Sequence, residues 1–308
     1  MNSSCKVLLE RSAYDGPALA DLLERMAPHL GLDRDLRGER VLLKPNLISA
    51  RGPALACTDA RFIASVARMF VDRGAVVSLG DSPAFGRAAA VVRHIGLHAV
   101  LADLGVKVVE FASPRTFVLD GGIQIKVARE ALDCDLFVNL PKIKAHNQMY
   151  MTIAVKNLFG IVRGVGKPLL HMRLRDSHRR FSGVILSLME LLPRHITLAD
   201  GIDVMHVSGP LRGKALHLGC VAGASDPLAV DTAVLSALEL SPARCPLWLE
   251  AAERGFRNAR IDAIDFPFLR PENFHGSGFI APGSLNPVGF NPFRFLHGTM
   301  RRILLALR

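Results

Sequence analysis

Short apolar runs alternate along the chain with stretches whose apolar residues recur at helical spacing. The first pattern marks buried strands and the second amphipathic helices, so the chain predicts repeated β–α units. Val41–Leu43 predicts a strand ending in Lys44-Pro45-Asn46. Phe62, Ile63, Val66 and Phe70 share one face of the next helix, with Thr58 as its expected cap and Gly74 at its end. Strands at Ala75–Leu79 and Val106–Phe111 flank one helix over about Arg87 to Leu104. Phe117–Leu119 and Ile123–Val127 enclose Asp120-Gly121-Gly122, which reads as a hairpin. Leu136–Asn139 is a strand running into Pro141-Lys142-Ile143-Lys144-Ala145-His146, and a helix is expected from Met151 to Phe159. Another spans Ser177 to Leu192, before Pro193. Strands follow at Ile196–Ala199, closing at Asp200-Gly201, and at Leu216–Ala222. The next helix is capped by Asp226, starts at Pro227 and reaches about Leu240.

This order predicts a three-layer α/β fold for residues 1–265, with a mainly parallel sheet and helices on both faces. From residue 266, five prolines (Pro267, Pro271, Pro282, Pro287 and Pro292) punctuate a Gly- and Phe-rich stretch, read as an extended C-terminal arm over 266–308. Its last segment, FRFLHGTMRRILLALR, places Phe293, Leu296, Met300, Ile303, Leu304 and Leu307 on one stripe of an amphipathic helix. Such a helix would dock on the domain, join a second copy as a homodimer, or lie in a membrane interface.

Composition narrows the classes. No apolar run approaches about 18 residues, so no transmembrane helix is expected. Lys6, Glu10 and Arg11 interrupt the start of the chain, which does not read as a signal peptide. Five scattered cysteines without a CxxC pair point to a reducing, cytoplasmic setting, and against an iron–sulfur cluster built by this chain alone. A formal net charge of +10 points to an acidic ligand, an anionic surface or nucleic acid, although the arginines that dominate it are scattered along the chain. Two Tyr and one Trp offer no stacking platform, so nucleic acid is not favoured.

Four strands end in small polar clusters: Lys44 and Asn46, Asp81 and Ser82, Asn139 and Lys142, and Asp200. Parallel strand ends converge on one rim, where ligands bind. Three of the nine lysines fall at 142, 144 and 156 in a chain whose usual cation is Arg. Lys offers a compact charge and a tunable amine, and His146 exchanges protons near neutrality. Lys156 sits between apolar Met151–Val155 and Leu158-Phe159, so it either reaches water or is held by a carboxylate or a ligand anion. Gly160, Gly164 and Gly166 follow and permit close backbone approach. P-loop, GxGxxG, GxSxG and HExxH patterns are absent from the sequence. His94 and His98 have metal-ligand spacing on one expected helix, without an obvious third ligand. Asp200 and Asp203 are candidates to bind a metal or to neutralise a Lys, and Asp231 reads as a first-turn acid of its own helix.

These residues predict an enzyme acting on a small carboxylate or phosphate ester by isomerisation or dehydration. His146, Lys156 and Lys142 are the expected catalytic residues. Lys44, Asn46, Asp81, Ser82, Asn139, Lys144, Asn157 and Asp200 are expected to bind substrate, and His171 is the candidate metal ligand. The rival expectation is a non-catalytic module that docks an acidic or redox partner on an open basic face.

The blocks VLLKPNL, NLPKIKAH and KNLFG, with ITLADGIDVMHVSGP and GASDPLAVD, resemble the family called domain of unknown function 362 over roughly residues 40–240. That resemblance implies an α/β fold and relatives that carry ferredoxin-like iron–sulfur modules; without their Cys pattern, this chain would need a ferredoxin-like partner for electron transfer. The order His146, Lys156 ten positions on, and His171 fifteen further is similar to lactate racemases. That similarity implies an acid–base role for His146, tethering of a metal-nucleotide cofactor or a substrate anion by Lys156, and metal ligation by His171.

Overall fold

Successive apolar side chains of the strand Arg40–Pro45 enter opposite cores: Val41 and Leu43 one, Leu42 the other. The same split separates Phe137 from Leu136, Val138 and Leu140. A strand buried on both faces is apolar throughout, which is why runs rather than alternation mark these strands in the sequence.

The computed structural model describes residues 4–163 and 177–288. Its strands are β1 (Cys5–Lys6), β2 (Leu8–Arg11), β3 (Arg40–Pro45), β4 (Val76–Asp81), β5 (Lys107–Glu110), β6 (Pro114–Leu119), β7 (Ile123–Ala128), β8 (Leu136–Leu140), β9 (Lys142–His146), β10 (Tyr150–Thr152), β11 (His195–His206), β12 (Lys214–Ala224) and β13 (Ile264–Asp265). Its helices are α1 (Gly16–Met26), α2 (Ala60–Asp72), α3 (Ala88–His94), α4 (His98–Asp103), α5 (Ala154–Asn157), α6 (His178–Ser187), α7 (Pro227–Ala237) and α8 (Pro246–Glu253).

The main sheet runs β10-β9-β11-β8-β3-β4-β5, with β12 on the other edge of β11 and β2 beyond it. From β11 through β8, β3 and β4 to β5 the strands are parallel, and β9 also runs parallel to β11. β10, β12 and β2 enter antiparallel. Helices α1–α4 pack into the core that holds Val41, and α5–α8 into the core that holds Leu42. The three-layer, mostly parallel α/β arrangement is therefore the fold of the chain.

Several elements depart from the sequence pattern. The helix expected over 87–104 is two, α3 and α4, broken at Gly96 (φ 75°). His94 and His98 thus lie on different helices rather than on one ligand face, and His94 Nε2 sits 2.9 Å from Gly52 O. Asp59, not Thr58, caps α2, accepting from Arg61 N at 2.9 Å. The stretch 142–146, which follows the predicted strand Leu136–Asn139, is a further strand, the fully buried β9. Met151–Phe159 is not a continuous helix: it divides into β10, the four-residue α5 and a 3-10 turn Leu158–Ile161. β11 does not end at Ala199 but carries Asp200 and Asp203 inside a twelve-residue strand. The arm returns to the start of the chain, where β13 pairs with β1 and Leu269 bridges Leu9, and it buries Phe274 and Phe279. The predicted C-terminal helix, its dimer or membrane contact, Gly164, Gly166 and His171 lie outside the described residues.

Candidate functional site

Adjacent parallel strands β8, β3 and β4 bring Asn139, Lys44 and Asp81 to neighbouring ends, with Lys44 directly opposite Asn139 in the register. Four lysines converge behind and around this rim, and three of them, Lys44, Lys142 and Lys144, are buried. Lys44 Nζ forms an ion pair with Asp81 Oδ1 at 2.9 Å and donates to Asn157 Oδ1 at 3.1 Å and Pro45 O at 2.7 Å. Asp81 in turn accepts Leu47 N and Ser82 N, each at 2.8 Å. Gly160 makes this packing feasible, because a Cβ there would collide with the Asp81 carboxylate and the Lys44 amine.

A chain of amides continues inward. Asn157 Oδ1 also accepts from Asn46 Nδ2 at 2.7 Å, and its own Nδ2 donates to Asn139 Oδ1 at 2.9 Å. Asn139 Nδ2 donates to Ala154 O at 3.0 Å and Thr197 Oγ1 at 3.3 Å. Lys144 Nζ donates to Asn46 Oδ1 at 2.6 Å and to Ala56 O. Burial, with repulsion from Lys156 and Lys142, pushes the Lys144 amine down to about 7. Thr58, displaced from its expected capping role, accepts from Asn46 N at 2.8 Å and donates to Leu140 O at 2.7 Å.

Lys142 faces a separate arrangement. Its Nζ lies 2.8 Å from Asp200 Oδ2 and 2.8 Å from the Tyr14 hydroxyl, which itself donates to Asp200 Oδ1 at 2.7 Å. Asp200 also takes Asp59 N at 2.9 Å, which ties the start of α2 to the sheet. Burial and the Asp200 charge raise the Tyr14 phenol well above its ordinary range. Tyr14 is invisible to sequence reasoning: its one signal is rarity, as one of two tyrosines.

A cavity of about 590 Å³ opens above the rim. Of the predicted site residues, Lys44, Asn46, Asp81, Ser82, His146, Lys156 and Asn157 line it. Asn139, Lys142, Lys144 and Asp200 do not; they form the buried layer behind it. Lys142 and Lys144 are at 1% and 0% exposure. Thr152, Gln148 and Phe85 line the cavity without having been singled out in the sequence.

Lys156 reaches the cavity from α5, partly exposed, with its Nζ 5.2 Å from the Phe159 ring centroid. Among the described residues it makes no hydrogen bond or ion pair. Burial, then repulsion from Lys44, lowers its pKa to about 8, against the pull of Asp81. The helix that carries it is held by Asp231 of α7, whose Oδ1 accepts Ala154 N at 2.7 Å and Val155 N at 3.2 Å. Asp231 therefore caps α5 rather than serving the start of its own helix. Burial pushes its carboxyl up to about 8 despite these two N–H groups.

His146 ends β9 at a tight turn, with Tyr150 opposite it at φ 67°. Its Nδ1 accepts from Gln148 N and Met149 N, each at 3.2 Å, so in the neutral ring the proton sits on Nε2. The Asp203 carboxylate pairs with His217 at 2.7 Å rather than with a lysine. Among the described residues no three His, Cys, Asp or Glu gather as a metal site requires. The five cysteines are free and dispersed; burial raises Cys5 and Cys134 to about 11 and Cys220 and Cys245 to about 12. This donor set does not fit an iron–sulfur centre. Among the described residues, no helix is long and apolar enough to cross a membrane.

Comparison with known proteins adds three relationships. A thylakoid-associated protein of Synechocystis sp. is 32% identical over 99% of this chain and 96% of its own length. A Thermotoga maritima crystal structure aligns over 69% of this chain and 56% of its own, with 12% identity and a TM-score of 0.42. The lactate racemase apoprotein of Thermoanaerobacterium thermosaccharolyticum aligns over 72% of this chain and 54% of its own, with 11% identity and a TM-score of 0.47. The chain thus spans just over half the length of those two structures, and neither likeness assigns chemistry to it. Residues 41–236 match the family described as Domain of unknown function (DUF362), a span holding every lysine of the cluster, and the chain belongs to that family.

Proposed function

We propose that the cavity binds a small anion, a carboxylate or phosphate ester, and that the protein is an enzyme moving a proton on that ligand. The observation that carries this reading is the Lys156 amine, which faces the cavity with no ion pair or hydrogen bond among the described residues. A desolvated ammonium is stabilised by an anion or else gives up its proton. Both options favour function here. An anion would supply the charge that neither Asp81 nor Asp200 supplies, since these are engaged with Lys44 and Lys142. Near a pKa of about 8, both forms of Lys156 are populated around neutrality, so it can take or give a proton.

His146 has a complementary role. Its ring lines the same cavity and is oriented by the two backbone N–H groups that Nδ1 accepts, so its imidazole would act there as the acid–base partner of Lys156. Asn46 Nδ2 has one hydrogen engaged with Asn157 and a second to give. Lys142 serves from behind, fixed by Asp200 and Tyr14. A concave cavity of about 590 Å³, rather than a flat basic face, favours a small-molecule ligand over the docking of a partner protein.

Calorimetric titration with short carboxylates, 2-hydroxy acids and inorganic phosphate tests the reading. Lys156→Met should weaken binding by about tenfold or more, the size of a lost charge-assisted hydrogen bond, while the unfolding temperature is retained. In deuterated water, the wild type should exchange a carbon-bound proton beside the carboxylate of a bound hydroxy acid. Equal binding by wild type and Lys156→Met would remove the basis of the proposal.

A further inference from the structure

The two sides of the cavity differ in chemistry. Asn46, Asn157 and His146, all buried, supply polar groups with Lys156 beside the buried rings of Phe159 and Phe181, whereas the more solvent-exposed lining, taken as the mouth, is the apolar set Ile48, Phe85, Pro210 and Leu211. These four come from three separate loops, where polar residues are the usual choice. Phe85 is 46% exposed, a cost to the free protein that nothing in the sheet requires.

The apolar mouth is also preformed. Phe85 N donates to Ile48 O at 3.2 Å, and a bridge joins Ser49 to Phe85, so the loop after β4 is fastened to the loop after β3. Leu211 packs over Gly52, where an added Cβ would lie 2.8 Å from Leu211 Cδ2. His94 Nε2, 2.9 Å from Gly52 O, also holds that loop. A mouth needed only to admit a hydrophilic anion would gain nothing from an ordered apolar lining.

We infer that the ligand is an amphipathic anion: a carboxylate or phosphate monoester whose charged head meets Lys156 and whose apolar chain lies against Ile48, Phe85 and Leu211. The inference rests on the anion-binding reading above and adds the tail to it. Each methylene moved from water onto such a wall contributes up to about 0.8 kcal/mol, so affinity should rise about two- to fourfold per carbon until the wall is covered.

The test is calorimetric titration of the full chain with straight-chain carboxylates from acetate to octanoate, with the matching n-alkyl phosphates, and with neutral n-alkyl alcohols. The expected result is a stepwise gain with chain length for one or both anionic series. Phe85→Ser and Leu211→Ser should each flatten that gain, and Lys156→Met should lower the whole series together. The carboxylate and phosphate arms identify the head group. If short anions bind through Lys156 but affinity is flat with length, the amphipathic inference fails and the anion site stands. If alcohols bind as tightly as the acids, or no anion binds at all, both fail.

Discussion

Gly160 is confined to a bare hydrogen because two charged groups occupy the space where a side chain would be. Its neighbours are the Asp81 carboxylate and the Lys44 amine, an ion pair at 2.9 Å with side chains 3% and 1% exposed. Gly160→Ala must therefore part a buried pair, and breaking such a pair costs about 3–5 kcal/mol. Urea denaturation should show a loss of that order, with weaker anion binding because Leu47 N and Ser82 N are anchored on the same carboxylate. A variant as stable as the wild type would contradict the packing. At this scale the sequence is legible where a residue conflicts with its neighbours: Lys156 stands out inside an apolar run. It is silent where a role depends on distant residues. Tyr14 joins Lys142 and Asp200 across more than a hundred positions, and Asp231 caps a helix some 77 residues before it.

Helix α5 has four residues, too few to hold itself together, since a helix that short is unstable without outside support. Asp231 supplies that support by taking the N–H groups of Ala154 and Val155. Asp231→Ala should strand both buried donors at about 1–3 kcal/mol each and loosen Lys156 in its cavity. Asp231→Asn keeps the accepting oxygen and should cost far less. Comparing the two by denaturation, and by titration with the best-binding anion, separates the hydrogen bonds from the carboxyl charge; equal losses would contradict the capping role. Element by element, the parallel strands are legible because burial on both faces leaves an apolar run. β9 is not, because Lys142 and Lys144 are buried only through tertiary partners that no local pattern contains. The stretch from Met151 has helical spacing, yet β10 takes its first residues because β9 offers them an antiparallel edge. The extent of β11 is hidden for a similar reason: Asp200 is tolerated within the sheet by Lys142 opposite it.

Across the whole molecule, the layered fold and the gathering of polar strand ends follow from the order of runs and from parallel geometry. The apolar mouth does not, because it is assembled from loops whose meeting no periodicity encodes. The buried charges also give the molecule a definite pH response. Asp231 holds its proton up to about 8 in the folded chain but only to about 3.8 when exposed. Between those values the folded state binds more protons, so this group makes stability fall as pH rises. Lys144 and Lys156 do the reverse: folded, they release protons near 7 and 8, and unfolded they keep them to about 10.5. Over that window the unfolded state binds more protons, and stability rises with pH. The three groups together place a stability minimum near pH 7–8, measurable as unfolding free energy against pH. Subtracting the Asp231→Asn profile should remove the acid-side fall, and subtracting that of Lys144→Met should remove part of the rise that begins near 7. An anion seated at Lys156 holds its proton on the folded state, so saturating ligand should move that group's share of the rise to higher pH. A profile unchanged by the ligand and by Lys144→Met would mean that the two amines lie in water rather than in the protein.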